Sequence, residues 1–345
     1  MKNKRLLQTL NKQKTDRPPI WLLRQSGRYL PEYLKLRKQA PDFVSFCKQP
    51  ELTCQAALLP LKRFNLDAAI LFSDILTIAD ALKLGLHFPT GGPQLEKPLT
   101  SLQDIQSLPI NCNDDLAYVF EGLHLLKQKL KDQLPVIGFS ATPWTLAAYL
   151  IDHNSRQGFP KCRAWTAAQP SQIATLLEKL SNIMTYYCCE QIHQGADVIT
   201  LFDTWGKLLD TPTYQNLVLP SLTSLINNIK SQHPNTPIII YSQGSIGQLK
   251  LIKQTGCTAI SIGWQTPLTE VWNALGQDTI LQGNMDPAIL LTNQHHVAQK
   301  TSKILLESKI NKHFIVNLGH GILPETPIEN VKSMVDTVTH LTNPS

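Results

Sequence analysis

The chain has 345 residues, a net charge of +6 and seven cysteines. That length suits one large barrel or two ordinary domains. A mild, scattered basic excess excludes the concentrated charge of a nucleic-acid binder, and suits a small acidic substrate. The start lacks an apolar signal core, and no apolar run reaches membrane-spanning length. The cysteines are dispersed without any C-x-x-C, which excludes a disulfide framework and points to a reducing cytoplasm.

Taken in order, residues 1–16 read as a flexible start carrying the block Lys2-Asn3-Lys4-Arg5. Eight short apolar, β-rich runs follow, with helix-like segments between them. They are Pro19–Arg24, Ala68–Ser73, Pro135–Ser140, Asp197–Phe202, Pro237–Ser242, Ala259–Trp264, Thr279–Gly283 and His313–Leu318. Continuous rather than alternating apolarity marks strands buried on both faces, as in a parallel sheet. Eight strands alternating with helices predict a (β/α)8 TIM-type barrel in a single domain spanning 1–345. A doubly wound sheet competes, but its G-x-G-x-x-G turn is absent, and arginines follow the first run instead. The helix signals agree with the barrel. Thr326-Pro327-Ile328-Glu329 reads as a capping box, and Thr211-Pro212 as a similar start. Pro170–Gln194 is amphipathic and ends at Gly195, while Gly256 closes a helix over Gln248–Thr255. The long stretch 75–134 contains His87-Phe88-Pro89-Thr90-Gly91-Gly92-Pro93, which predicts an excursion over one barrel end.

Chemistry in such barrels gathers at the C-terminal strand ends. Those ends hold Arg24/Gln25, Asp74, Phe139-Ser140, Asp203-Thr204, Gln243, Trp264, Gln282/Asn284 and His320. Arginines four residues apart, Arg24 and Arg28, offer paired N–H forks suited to carboxylate or phosphate. An exposed loop with surface ion pairs is their ordinary alternative. Asp74 and Asp203 each read either as a mouth carboxylate or as a helix N-cap. Tyr149 either packs on a helix face or sends its hydroxyl to the mouth. His320 stands between glycines that allow close backbone approach. His295-His296 point apart on a helix, and no H-x-x-x-H, H-x-C or C-x-x-C predicts a metal site. No G-x-S-x-G predicts a serine nucleophile.

These residues resemble the uroporphyrinogen decarboxylase family. The first matching block is Pro19-Ile20-Trp21-Leu22-Leu23-Arg24-Gln25-Ser26-Gly27-Arg28-Tyr29-Leu30-Pro31-Glu32-Tyr33, with Ser26 where alanine is usual. The second is Gly138-Phe139-Ser140-Ala141-Thr142-Pro143-Trp144-Thr145-Leu146-Ala147-Ala148-Tyr149. Blocks at 72–76, 202–206, 281–287 and 317–321 follow in order. The resemblance implies a (β/α)8 barrel that removes the four acetate carboxyls of uroporphyrinogen III to give coproporphyrinogen III, without metal or organic cofactor. It implies Asp74, Arg37 and Arg24 as catalytic residues, with Arg37 the candidate proton donor. It also implies substrate contacts from Arg24, Gln25, Arg28, Arg37, Phe72, Asp74, Tyr149, Thr204 and His320, and pairing as a homodimer.

Two places depart from the family pattern. Asp152-His153-Asn154 stands where Glu-Gly-Gly is usual, and Ile262-Gly263-Trp264 where Leu-Asp-Trp is usual. The second removes a strand-end carboxylate. Two other functions therefore stay in view. One is a zinc- and thiol-dependent corrinoid-type methyltransferase, which needs a His/Cys ligand set. The other is a non-catalytic tetrapyrrole binder.

Overall fold

The computed structural model describes residues 3–89, 92–109, 112–152, 155–308 and 313–340. Its strands in chain order are β1 Ala69–Ile70, β2 Leu86–His87, β3 Gln94–Leu95, β4 Val136–Ala141, β5 Val198–Asp203, β6 Ile238–Ser242, β7 Ala259–Ile262, β8 Ile280–Met285 and β9 Phe314–Leu318. Seven of them form one parallel sheet in the order β1-β4-β5-β6-β7-β8-β9. Helices fill the connections, as parallel crossovers require.

The first expected strand is an extended segment rather than a full strand. It nevertheless closes the circle. Ile20 bridges Val316 of β9, and on its other side the Ile20 carbonyl accepts the Asp67 N–H at 2.8 Å, just before β1. Pro18 and Pro19 have no N–H to give, so a regular ladder cannot form there. The Asp67 carboxylate takes the Ile20 N–H instead, at 2.7 Å. With that segment the sheet is a TIM-type barrel of eight staves.

Alternation along the staves separates two apolar regions. Side chains facing outward pack under the helices in one large cluster that runs from Ile20 to Val338. Trp21, Leu23, Ala68, Ile137, Val198, Ile239, Ala259, Ile280 and Ile315 face inward and fill the barrel. Leu6 and Leu10 join this inner cluster from below. The start expected to be flexible is thus a helix over Arg5–Leu10 that plugs the floor. A polar layer crosses the interior above it. Trp21 Nε1 donates to Gln282 Oε1 at 2.8 Å, and Gln282 Nε2 donates to Ser261 Oγ at 2.9 Å. Gln282, read as a strand-end residue, is therefore fully buried beneath the mouth. Phe202 packs between Phe139 and Tyr241, with centroids 5.6 and 5.8 Å away, and roofs that layer.

The predicted helix ends need small corrections. The last helix begins at Ile328 with Pro327 as N-cap and no side-chain cap bond. The Thr326 hydroxyl is buried without a partner, so no capping box forms. Asp210 rather than Thr211 caps the next predicted start, accepting the Thr213 N–H. Pro170–His193 is one 24-residue helix, and Gly195 follows it at φ +110°. The excursion at 87–93 is a β2–β3 hairpin whose Phe88 stacks on Phe43 at 5.0 Å, with Thr90 and Gly91 outside the described residues.

Candidate active site

The mouth is assembled from the loops that leave the C-terminal strand ends. Arg24 ends the closing segment with φ +59°, a left-handed conformation that ordinary residues seldom adopt. Its neighbours enforce it. Leu23 donates to Asn317 Oδ1 at 2.8 Å and accepts from Ile322 N at 3.0 Å, so the loop after β9 grips this turn. Gly321 lies so close that any side chain there would overlap Arg24. Such strain persists where surroundings overdetermine it, and it aims the exposed guanidinium over the mouth.

Asp74 follows β1 and is half-buried. The N-cap reading of this residue is not met, because Leu76 is the N-cap of the helix Thr77–Ala81 and no side chain caps it. One oxygen accepts the Leu76 N–H at 2.8 Å, a local turn bond, while its backbone carbonyl holds Thr77. The other oxygen has no hydrogen bond among the described residues. Burial raises the carboxyl above its ordinary range, opposed by the Leu76 bond and by the nearby Arg24 charge. Arg24 and Asp74 thus feel each other's charge without closing into an ion pair.

Tyr149 sits on the helix Pro143–Ile151, which starts at the end of β4 under a Thr142 cap. Its ring meets Phe159 at 4.9 Å and Trp205 at 6.3 Å. Burial raises its phenol, which also feels the charges of Asp74 and Arg24. Thr204 is half-buried in the turn after β5. That turn is pinned from below, because Trp144 Nε1 donates to the Trp205 carbonyl at 3.0 Å. His320 follows β9 between Tyr241 and Trp264, each with its ring centroid 6.2 Å away. Burial first, then the charges of Arg24 and Lys207, push its imidazole down to about 4, so it is neutral near pH 7.

Arg28 is exposed beyond the turn. Arg37 ends the helix Pro31–Arg37, where Nη1 donates to the Ala40 carbonyl at 2.9 Å and the guanidinium lies 5.9 Å from the Phe46 centroid. Phe72 joins Arg37 to the Asp74 loop by packing on Tyr33 at 5.3 Å and Phe46 at 5.6 Å. The buried Cys47 thiol feels both Asp74 and Arg37, while Tyr33 feels both Arg37 and Arg28. Among the described residues no carboxylate pairs with Arg24, Arg28 or Arg37.

Three expected mouth residues lie elsewhere or do something else. Gln25 is 1% exposed, with its amide engaged by backbone: Nε2 donates to the Ala68 carbonyl and Oε1 accepts from Leu22 N. It fastens the arginine turn to β1 and does not line the mouth. Asp203 is fully buried and accepts from the hydroxyls of Thr142 at 2.9 Å and Tyr214 at 3.0 Å. Asn284 donates to the carbonyls of Gly263 and Thr266. The Gly263 departure leaves room that the Gln265 amide and Gln243 occupy. Asp152 is buried and caps the next helix at Lys161 N, while His153 and Asn154 lie outside the described residues. Sequence reading missed Lys207, which stands at the mouth beside Gln243 and Trp205. Among the described residues no group of three His, Cys, Asp or Glu side chains could hold a metal ion.

The family model described as Uroporphyrinogen decarboxylase (URO-D) matches residues 1–341. This chain belongs to the uroporphyrinogen decarboxylase family. A protein of that name from Vesicomyosocius okutanii is 42% identical over 333 residues, covering 96% of each chain. Another from Legionella pneumophila is 40% identical over 334 residues, covering 96% of this chain and 95% of the relative. Among solved structures, a methyltransferase from Methanosarcina mazei superposes with TM-score 0.83 at 18% identity, covering 99% of both. A B12-independent methionine synthase from Shewanella reaches 0.55 at 12%, covering 84% of this chain and 88% of that one. Identities that low report the barrel fold alone. Family membership therefore rests on the sequence match, and the fold is shared with proteins of other activities.

Proposed function

We propose that this protein is a carboxy-lyase that removes the four acetate carboxyls of uroporphyrinogen III, giving coproporphyrinogen III in porphyrin and heme biosynthesis. The observation that carries the reading is the nearness of the Arg24 charge to the Asp74 carboxyl at the C-terminal end of the barrel, without an ion pair between them. Among the described residues, the half-buried Asp74 carboxylate keeps one oxygen without a hydrogen bond, and Arg24, Arg28 and Arg37 pair with no carboxylate. A non-aromatic tetrapyrrole fits that arrangement. Its four pyrrole N–H groups converge on one point, where the Asp74 carboxylate accepts them. Its peripheral carboxylates meet Arg24, Arg28 and Arg37 through charge-assisted, paired bonds.

The chemistry then needs only protons and electrostatics. Protonating a pyrrole carbon beside an acetate arm makes a ring cation. The bond between the arm's methylene and its carboxylate breaks, CO2 leaves, and that electron pair neutralises the ring. Proton uptake at the methylene carbon gives the methyl group, while the ring proton is released. Asp74, already in place, stabilises the developing cation without reorganisation. Arg37 is the candidate donor for the ring proton, and Thr204, Tyr149 and His320 offer polar contacts to the arms. A neutral His320 suits this role because it can accept as well as donate. Phe72 supplies an apolar wall.

A second copy of the chain is the proposed partner, and the cytoplasm the proposed setting. Among the described residues no helix is long and apolar enough to cross a membrane. The deciding experiment is product analysis after anaerobic incubation with chemically reduced uroporphyrin. Accumulation of the tetracarboxylate is the expected result. Recovery of the intact octacarboxylate would overturn the assignment and leave a binder.

A further inference from the structure

Arg24, Arg28 and Arg37 all rise from one fourteen-residue stretch, so they serve one side of the mouth. The substrate proposed above carries carboxylates around its whole periphery. In the ring order closing segment-β1-β4-β5-β6-β7-β8-β9, the turn after β5 comes three staves on from the segment that carries Arg24. Lys207 stands there, in the Gly206–Leu208 turn after β5.

We infer that Lys207 binds a substrate carboxylate at the rim after β5, apart from the stretch that carries the three arginines. This rests on the uroporphyrinogen reading and extends it to a residue that neither the matching blocks nor the fold assigns. Four observations support it. First, Lys207 is held in place: Nζ donates to Gln243 Oε1, Gln243 Nε2 donates to the Tyr241 hydroxyl at 2.7 Å, and that hydroxyl donates to the Gly319 carbonyl at 2.9 Å. The chain of bonds links the ammonium to the loop that carries His320. Second, Nζ lies 5.6 Å from the Trp205 ring centroid, so the indole supports the cation on one face. Third, among the described residues no carboxylate pairs with it. Gln243 takes one ammonium hydrogen and two remain. Lys207 is exposed, and desolvation by its neighbours lowers its affinity for the proton. Fourth, that chain of bonds ends on the Gly319 carbonyl beside His320, whose imidazole feels the Lys207 charge.

The ordinary alternative is a surface lysine resting its stem on tryptophan. Steady-state kinetics with uroporphyrinogen separates the two. Lys207→Met keeps the stem and removes the charge. KM is expected to rise about fivefold, the worth of a partly screened ion pair, with a smaller change in kcat. The difference should shrink as salt rises, and Lys207→Arg should restore most of the affinity. Gln243→Glu tests the same idea without touching the lysine. It gives the ammonium an internal anion that competes with substrate, so KM should again rise. A KM within twofold of the parent for both Lys207→Met and Gln243→Glu overturns the inference. So does a rise that Lys207→Arg fails to rescue, or a loss of thermal stability with KM unmoved. An unmodified protein that leaves uroporphyrinogen intact fails before any variant is made, and that outcome overturns the site reading itself along with the role of Lys207.

Discussion

The floor and the mouth of the barrel use the same two residue types to opposite ends. On the floor, Asp67 is fully buried and accepts five hydrogen bonds. Two come from Arg17 at 2.6 and 3.0 Å, and the others from Ile20 N, Asn3 Nδ2 and Arg5 Nη1. Arg17 is itself 7% exposed. Every charge there is answered within the chain, and the plug helix seals it from water. At the mouth, among the described residues, Asp74 has one internal donor to its carboxylate, and Arg24 and Arg28 have no carboxylate partner. An aspartate–arginine set saturated by its own chain is architecture, whereas an unsaturated one is a request for a ligand. Asp203 shows that position along the strand does not decide the matter. It sits at a C-terminal strand end yet is saturated by hydroxyls, like the floor.

The contrast predicts that stability effects concentrate below and activity effects above. The largest effect is expected from Asp67→Asn, which strands the buried Arg17 charge. Unfolding free energy should fall by about 3–5 kcal/mol, read by urea denaturation. A variant as stable as the parent would remove the floor from the argument. Next comes Asp74→Asn, expected to cut turnover at least about a hundredfold, while the thermal midpoint stays near that of the parent. Near-normal turnover would rule out its electrostatic role.

Asp203 tests the intermediate case through pH. Burial raises its carboxyl to about 6. The folded state thus holds a proton that the unfolded chain releases near pH 4. The stabilisation is full below about pH 4 and is lost as pH rises to about 6, an effect of about 2–3 kcal/mol. Asp203→Asn cannot titrate, so the stability difference between parent and variant should shift by that amount across the interval. A pH-independent difference would show that Asp203 is already ionised at low pH. The smallest of the four is Arg28→Ala, expected to raise KM about tenfold with the fold intact. An unchanged KM would take this arginine out of the binding surface.

Much of this was legible in the chain. Each of the seven sheet strands overlaps an expected apolar run, because double-sided burial leaves a continuous apolar record. The arginines, Asp74, Tyr149 and His320 could be placed at one end because parallel staves all point the same way. What escaped reading shares one cause: local pattern reports burial without reporting partners. Leu6 and Leu10 looked like a frayed start, because the surface they cover is built from seven distant strands. Gln25 looked like a ligand contact, because its engagement with Ala68 spans 43 residues. Lys207 drew no reading at all, because Trp205, Gln243 and the loop bearing His320 come together around it only in three dimensions.

From its sequence alone this protein is a parallel eight-stave barrel of the uroporphyrinogen decarboxylase family, with its chemistry at the C-terminal rim. Strand order and residue type are written locally, so they survive without coordinates. Only the tertiary structure sorted the charges into those answered by their own chain and those left open. That sorting depends on distances between residues far apart in sequence, which Coulomb forces register and hydrophobic periodicity does not.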